Sequence, residues 1–85
     1  IPEHLKEELN QHFNYNTPSG GKHIWISYSG NKYLMNKTSN LFIDFRTYKG
    51  YVCWYHNVDI RECVHLIKES SNELNLFLEK LFSNN

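Results

Sequence analysis

No stretch of this sequence approaches the ~20 consecutive apolar residues of a membrane span, so a membrane role is not expected and the reading is of a soluble, cytoplasmic chain. Cysteine is scarce. Cys53 and Cys63 form no CxxC or Cys/His metal spacing, and both are expected to be small buried hydrophobes. Net charge is absent overall, internal repeats are absent, and no GxxxxGK(S/T) segment opens a helix, which removes the phosphate loop of nucleoside-triphosphate hydrolases. At 85 residues the chain has room for one small domain with a modest core, and nothing in its length supports two. Its opening on Ile1 without a Met reads as part of a longer protein.

The zero net charge conceals a pattern. Residues 17–51 carry Lys22, Lys32, Lys37, Arg46 and Lys49 against Asp44 alone, a local balance of +4, while 1–16 and 52–85 each sum to −2. A basic middle between acidic ends suits a phosphate-facing sheet on a solvated helical support; chance clustering of surface charge gives the same count.

Hydrophobic periodicity divides the chain. Leu5, Leu9 and Phe13 form one stripe, predicting a helix over 2–13 with Pro2 in its first turn. Asn14 to Gly21 has loop composition. Strict alternation then predicts a strand over 23–29, with Ile24, Ile26 and Tyr28 on one face and His23, Trp25, Ser27 and Ser29 on the other. A short strand is expected at 32–35. A hairpin follows, formed by 41–46 and 51–55 about the turn 47–50, with Phe42, Asp44 and Arg46 sharing one face. Asp59 and Glu62 resemble a capping box for a helix running to Glu69, and Leu74, Phe77, Leu78 and Leu81 mark a last helix over 73–82. The expected fold is α+β: an antiparallel sheet of three to four strands flanked by helices, divided as 1–16 helix and loop, 17–56 sheet, and 57–85 two helices.

Chemistry concentrates at Thr17-Pro18-Ser19-Gly20-Gly21-Lys22-His23. A flexible, glycine-containing loop that delivers a Lys and a His to a strand is suited to phosphate, because glycine allows close approach of backbone N–H groups to an anion. Asp44 is the second point of interest, since a carboxylate in mid-strand needs a cation or donor to answer it. Trp25, Tyr51, Trp54 and Tyr55 either stack bases or fill a small aromatic core. His4, His12, His56 and His65 show no ligand spacing and are expected in surface or core roles.

The run Ser19-Gly20-Gly21-Lys22-His23, followed by Ile43-Asp44-Phe45-Arg46 and Gly50-Tyr51-Val52, resembles the bifunctional primase–polymerase domain of the archaeo-eukaryotic primase superfamily. There a Ser-Gly-Gly-x-His motif opens one strand, and an Ile-Asp-x-Arg motif with a Gly-Gly-Tyr-Val hairpin forms the next. The likeness covers about residues 17–52, and it implies an RNA-recognition-like core in a plasmid, phage or mobile-element replication protein. It also implies template-directed nucleotidyl transfer from nucleoside triphosphates, with a single-stranded DNA template and either an upstream part of the same protein or a helicase as partner.

Carried over by resemblance, His23 is catalytic and contacts the triphosphate, aided by Ser19, Gly20, Gly21, Lys22 and Arg46. Asp44 would be a catalytic ligand of Mg²⁺ or Mn²⁺, on the strand next to that of His23. The family's earlier Asp-x-Asp pair has no counterpart, because residues 1–16 hold only Glu3, Glu7 and Glu8 as acids. Lys49 also replaces a Gly, and Trp54-Tyr55-His56-Asn57 replaces a small-residue and Pro segment. Either the missing acids lie upstream or this copy is inactive. The alternative function is a non-catalytic module that binds nucleotide or single-stranded nucleic acid.

Overall fold

Pro2 stands at the head of the first helix, α1 (Glu3–Gln11), with backbone angles of −56° and 143° and its carbonyl accepting from the N–H groups of Leu5 and Lys6, each at 3.1 Å. Having no N–H, it leaves one fewer orphan donor at a helix start, where Glu3 also complements the positive end of the helix dipole. In this computed structural model residues 1–35, 37, 38, 44, 45 and 54–83 are described.

The helix ends two residues before the expected position. His12 is extended, at −75° and 157°, and the Asn14 side-chain amide donates to the carbonyls of Asn10 (3.2 Å) and His12 (2.7 Å), taking up acceptors that the ended helix leaves open. Phe13, which the apolar stripe assigns to the helix, instead begins strand β1 (Phe13–Asn16). This strand replaces part of the expected loop. It pairs antiparallel with β2 (Lys22–Ser27), setting Phe13 opposite Trp25, Asn14 opposite Ile24, Tyr15 opposite His23 and Asn16 opposite Lys22.

The chain divides into two units, one built from Ile1–Tyr28 with Trp54–Ser70 and the other from Ser29–Cys53 with Ser71–Asn85. In the first, Asp59 caps the short helix α2 (Ile60–Cys63), its carboxylate accepting from the N–H of Arg61 at 2.8 Å. A 3₁₀ turn, Val64–Leu66, follows at once. Cys63 is a buried free thiol, as expected of a small apolar residue.

The predicted continuation of that helix to Glu69 is corrected. Lys68–Glu69 is strand β5, parallel to β2, with Ile26 opposite Lys68 and Ser27 opposite Glu69. Ser70 extends the contact by donating its N–H to the Ser27 carbonyl at 3.0 Å. The β-branched Val64 and Ile67 favour leaving the helix, and the backbone groups on the second edge of β2 gain partners when the chain becomes extended. The resulting sheet, in the order β1–β2–β5, is mixed rather than purely antiparallel.

The second unit contains a two-stranded antiparallel ribbon, β3 (Lys37–Thr38) with β4 (Asp44–Phe45), in which Lys37 faces Phe45 and Thr38 faces Asp44. It also contains helix α3 (Asn72–Phe82), capped by the Ser71 hydroxyl, which accepts from the Leu74 N–H at 3.1 Å. Leu74, Leu78 and Phe82 are buried at four-residue intervals, whereas Leu76 is exposed. The strand expected at 32–35 is reduced to a single bridge between Leu34 and Ser83, beside which the Met35 N–H donates to the Phe82 carbonyl at 2.9 Å. Of the hairpin expected at 41–55, residues 41–43 and 46–53 lie outside the described residues, and Trp54 and Tyr55 are not in a strand. The architecture is α+β, with a three-stranded sheet and three helices among the described residues.

Candidate functional site

The loop 17–21 joins β1 to β2 and is closed by its own hydrogen bonds. The Thr17 N–H donates to the Gly21 carbonyl (2.9 Å), the Gly20 N–H to the Thr17 carbonyl (3.1 Å) and the Gly21 N–H to the Thr17 hydroxyl (3.1 Å). Ser19 Oγ lies 3.2 Å from the same hydroxyl. Gly20 has φ of +90°, a conformation that L side chains rarely adopt, and this is why the turn needs glycine there. The N–H groups of Gly20 and Gly21 are thus engaged inside the turn. An anion arriving here meets the side chains of Ser19, Lys22 and His23 unless the turn exchanges those bonds.

Lys22 and His23 are successive strand residues and leave β2 on opposite faces. Lys22 is exposed at the strand's first residue, while His23 is half-buried on the face that also carries Phe13, Tyr15 and Trp25. Its Nδ1 shares a hydrogen bond of 3.1 Å with the hydroxyl of the buried Tyr15, directly across the ladder. Nε2 has no hydrogen-bond partner among the described residues.

Trp54-Tyr55-His56 covers this face. The His56 ring lies parallel to Tyr15, with centroids 5.6 Å apart and 10° between planes. Trp54 stacks on Phe13 at 6.0 Å and meets Tyr15 and Trp25 edge-on at 5.1 and 5.4 Å. Its indole N–H donates to the Val58 carbonyl at 2.9 Å. Tyr55 is half-exposed, its ring tilted against His23 at 5.6 Å. The packing is aromatic throughout, and edge-to-face pairs of this kind add stability beyond the area they bury.

Asp44 is on β4 in the second unit. Among the described residues its strand pairs with β3, and β2 pairs with β1 and β5. Arg46 lies outside the described residues. A pair of divalent ions needs several carboxylates. Among the described residues no group of three or more His, Cys, Asp or Glu side chains is placed to hold a metal, so these residues alone do not make up the donor set that Mg²⁺ or Mn²⁺ requires. Comparisons with protein-family models, with curated proteins and with solved structures find no match to this chain.

Two residues that build the site escape a reading of the sequence. Tyr15 falls in a stretch of loop composition, although the alternation of Phe13 and Tyr15 with Asn14 and Asn16 is itself a strand signal over four residues. His56 has no spacing that marks it, and only folding sets its ring on Tyr15.

Proposed function

We propose that this chain is part of a primase–polymerase catalytic domain that binds the triphosphate of an incoming nucleotide at His23. The supporting observation is the anchored imidazole: with Nδ1 engaged by Tyr15, the ring has a fixed orientation and its other nitrogen remains for a phosphate oxygen. Lys22, at the start of the same strand, adds a flexible positive charge suited to phosphate. The reaction is attack of a primer or initiating 3′-hydroxyl on the α-phosphate of a nucleoside triphosphate, releasing pyrophosphate. A divalent ion at Asp44 would supply charge neutralisation, and its other ligands would come from outside the described residues. In this reading Ser19, Gly20 and Gly21 shape the phosphate end of the site, Arg46 adds a second cation, and the protein works on a single-stranded DNA template in the cytoplasm as part of a mobile-element replication machinery.

The test is primer synthesis by the full-length protein carrying His23→Ala or Asp44→Ala. Each substitution is expected to abolish synthesis while leaving the circular dichroism spectrum unchanged. Full activity in both variants rules the assignment out.

A second reading is favoured by the aromatic face: a non-catalytic module for nucleotide or single-stranded nucleic acid. Binding that ignores Mg²⁺ and Asp44→Asn, yet falls steeply with salt, selects it over the first.

A further inference from the structure

Four aromatic residues are candidates for contact with a nucleobase on the sequence alone, and the fold separates them. Trp25 has its indole N–H buried, with no hydrogen-bond partner among the described residues, and its ring meets the edge of Trp54. Trp54 is wedged among Phe13, Tyr15, Trp25 and His56 and is tied to the Val58 carbonyl. Both are half-buried, with their rings packed within the aromatic face. Tyr51 lies outside the described residues. Tyr55 differs from these: it is 49% exposed, and its ring is in contact with that of His23.

We infer that Tyr55 is the platform on which the base of the bound nucleotide stacks, adjacent to the phosphate contact at His23. The inference rests on the proposed triphosphate site. A nucleotide's base and phosphates are joined through one sugar, so phosphate held at His23 leaves the base within reach of the neighbouring ring. An exposed tyrosine suits this task, since every base has a π-face and stacking on an aromatic side chain is tolerant of sequence. Tyrosine also has few rotatable bonds, so little order is lost when a ligand covers it. The segment that supplies it, Trp54-Tyr55-His56, stands where the resembling family has small residues and Pro, so the platform is a feature of this chain's own sequence.

Two probes separate the base contact from the phosphate contact: ATP and inorganic tripolyphosphate, each titrated into the full chain by calorimetry. Tyr55→Ala is expected to weaken ATP about tenfold and leave tripolyphosphate unchanged. Tyr55→Phe keeps the ring and is expected to bind ATP like the parent. His23→Ala should weaken both probes. Unchanged ATP affinity in Tyr55→Ala, with both probes still weakened by His23→Ala, overturns the platform and leaves the phosphate site standing. Equal losses in Tyr55→Phe and Tyr55→Ala also overturn it, because the hydroxyl rather than the ring would then carry the contact. Affinities unmoved by His23→Ala overturn the triphosphate reading itself.

Discussion

The Tyr15 hydroxyl lies 3.1 Å from Nδ1 of His23, and the two residues are exact cross-strand partners in the β1–β2 pair. A histidine at the mouth of a glycine turn is ordinarily free to rotate. Here its ring is held on one side by a buried phenol and flanked by the Tyr55 ring, with centroids 5.3 and 5.6 Å away respectively. Side chains opposite one another on a strand pair are the closest neighbours a sheet offers, so the register that pairs Tyr15 with His23 also fixes the imidazole.

Removing that anchor isolates its contribution. Tyr15→Phe keeps the ring packing and deletes one hydrogen bond, and it should cost about 0.5–1.5 kcal/mol of stability. Nitrogen chemical shifts of the His23 ring should show a changed tautomer balance. An unchanged balance would mean that the bond does not orient the imidazole in solution.

The turn makes a second demand that two glycines answer differently. Gly20→Ala places a side chain at φ of +90° with open space around it, so its cost is backbone strain of about 1–2 kcal/mol. At Gly21 no positive φ is involved, and an added Cβ would sit 3.3 Å from Thr17 Oγ1, a contact that a small shift of the hydroxyl relieves. Urea denaturation of the two variants should therefore rank Gly20→Ala as the more destabilised.

In the second unit stability is concentrated along one side of α3. Phe82 is fully buried, and Phe82→Ala is expected to cost about 3–5 kcal/mol. Loss of the cap in Ser71→Ala should cost about 1 kcal/mol, since the Leu74 N–H then loses its side-chain acceptor. Thermal melts followed by circular dichroism give the order, and a milder effect for Phe82→Ala than for Ser71→Ala would contradict the packing described above.

One carboxylate has a displaced titration. The side-chain and backbone hydrogen bonds from Arg61 hold Asp59 below the ordinary aspartate range. A lowered folded-state value means that the cap's contribution is present above the unfolded pKa and is lost as pH falls through the folded one. Carbon-detected titration should place the Asp59 midpoint below that of a free aspartate, and Arg61→Ala should move it upward, since the side-chain bonds are then lost.

The α+β class, the positions of the first and last helices and the core of the strand expected at 23–29, which runs Lys22–Ser27, were legible in the sequence, because period and capping are local properties. Pro2 and Glu3 mark a helix start, Ser71 caps Leu74 whatever surrounds it, and Ile24 and Ile26 alternate with His23 and Trp25 within a few residues. The loop of Ser19, Gly20 and Gly21 was legible for the same reason: a turn that needs φ of +90° selects glycine locally.

What the tertiary structure alone decided depends on partners distant in sequence. Lys68 and Glu69 read as helix by their neighbours and become a strand because β2, some forty residues earlier, offers an edge to pair with. Phe13 reads as the end of a helical stripe and becomes a strand because Trp25 stands opposite it. The same dependence governs the site. The sequence by itself determined that a His follows a glycine turn; only the pairing of β1 with β2 decided that Tyr15 holds it, and only the return of Trp54-Tyr55-His56 over that face decided which aromatic ring lies half-exposed against His23. Backbone hydrogen bonds between strands and ring-to-ring packing are satisfied by whatever the folded chain brings near, and a local pattern of residues carries no record of that distance.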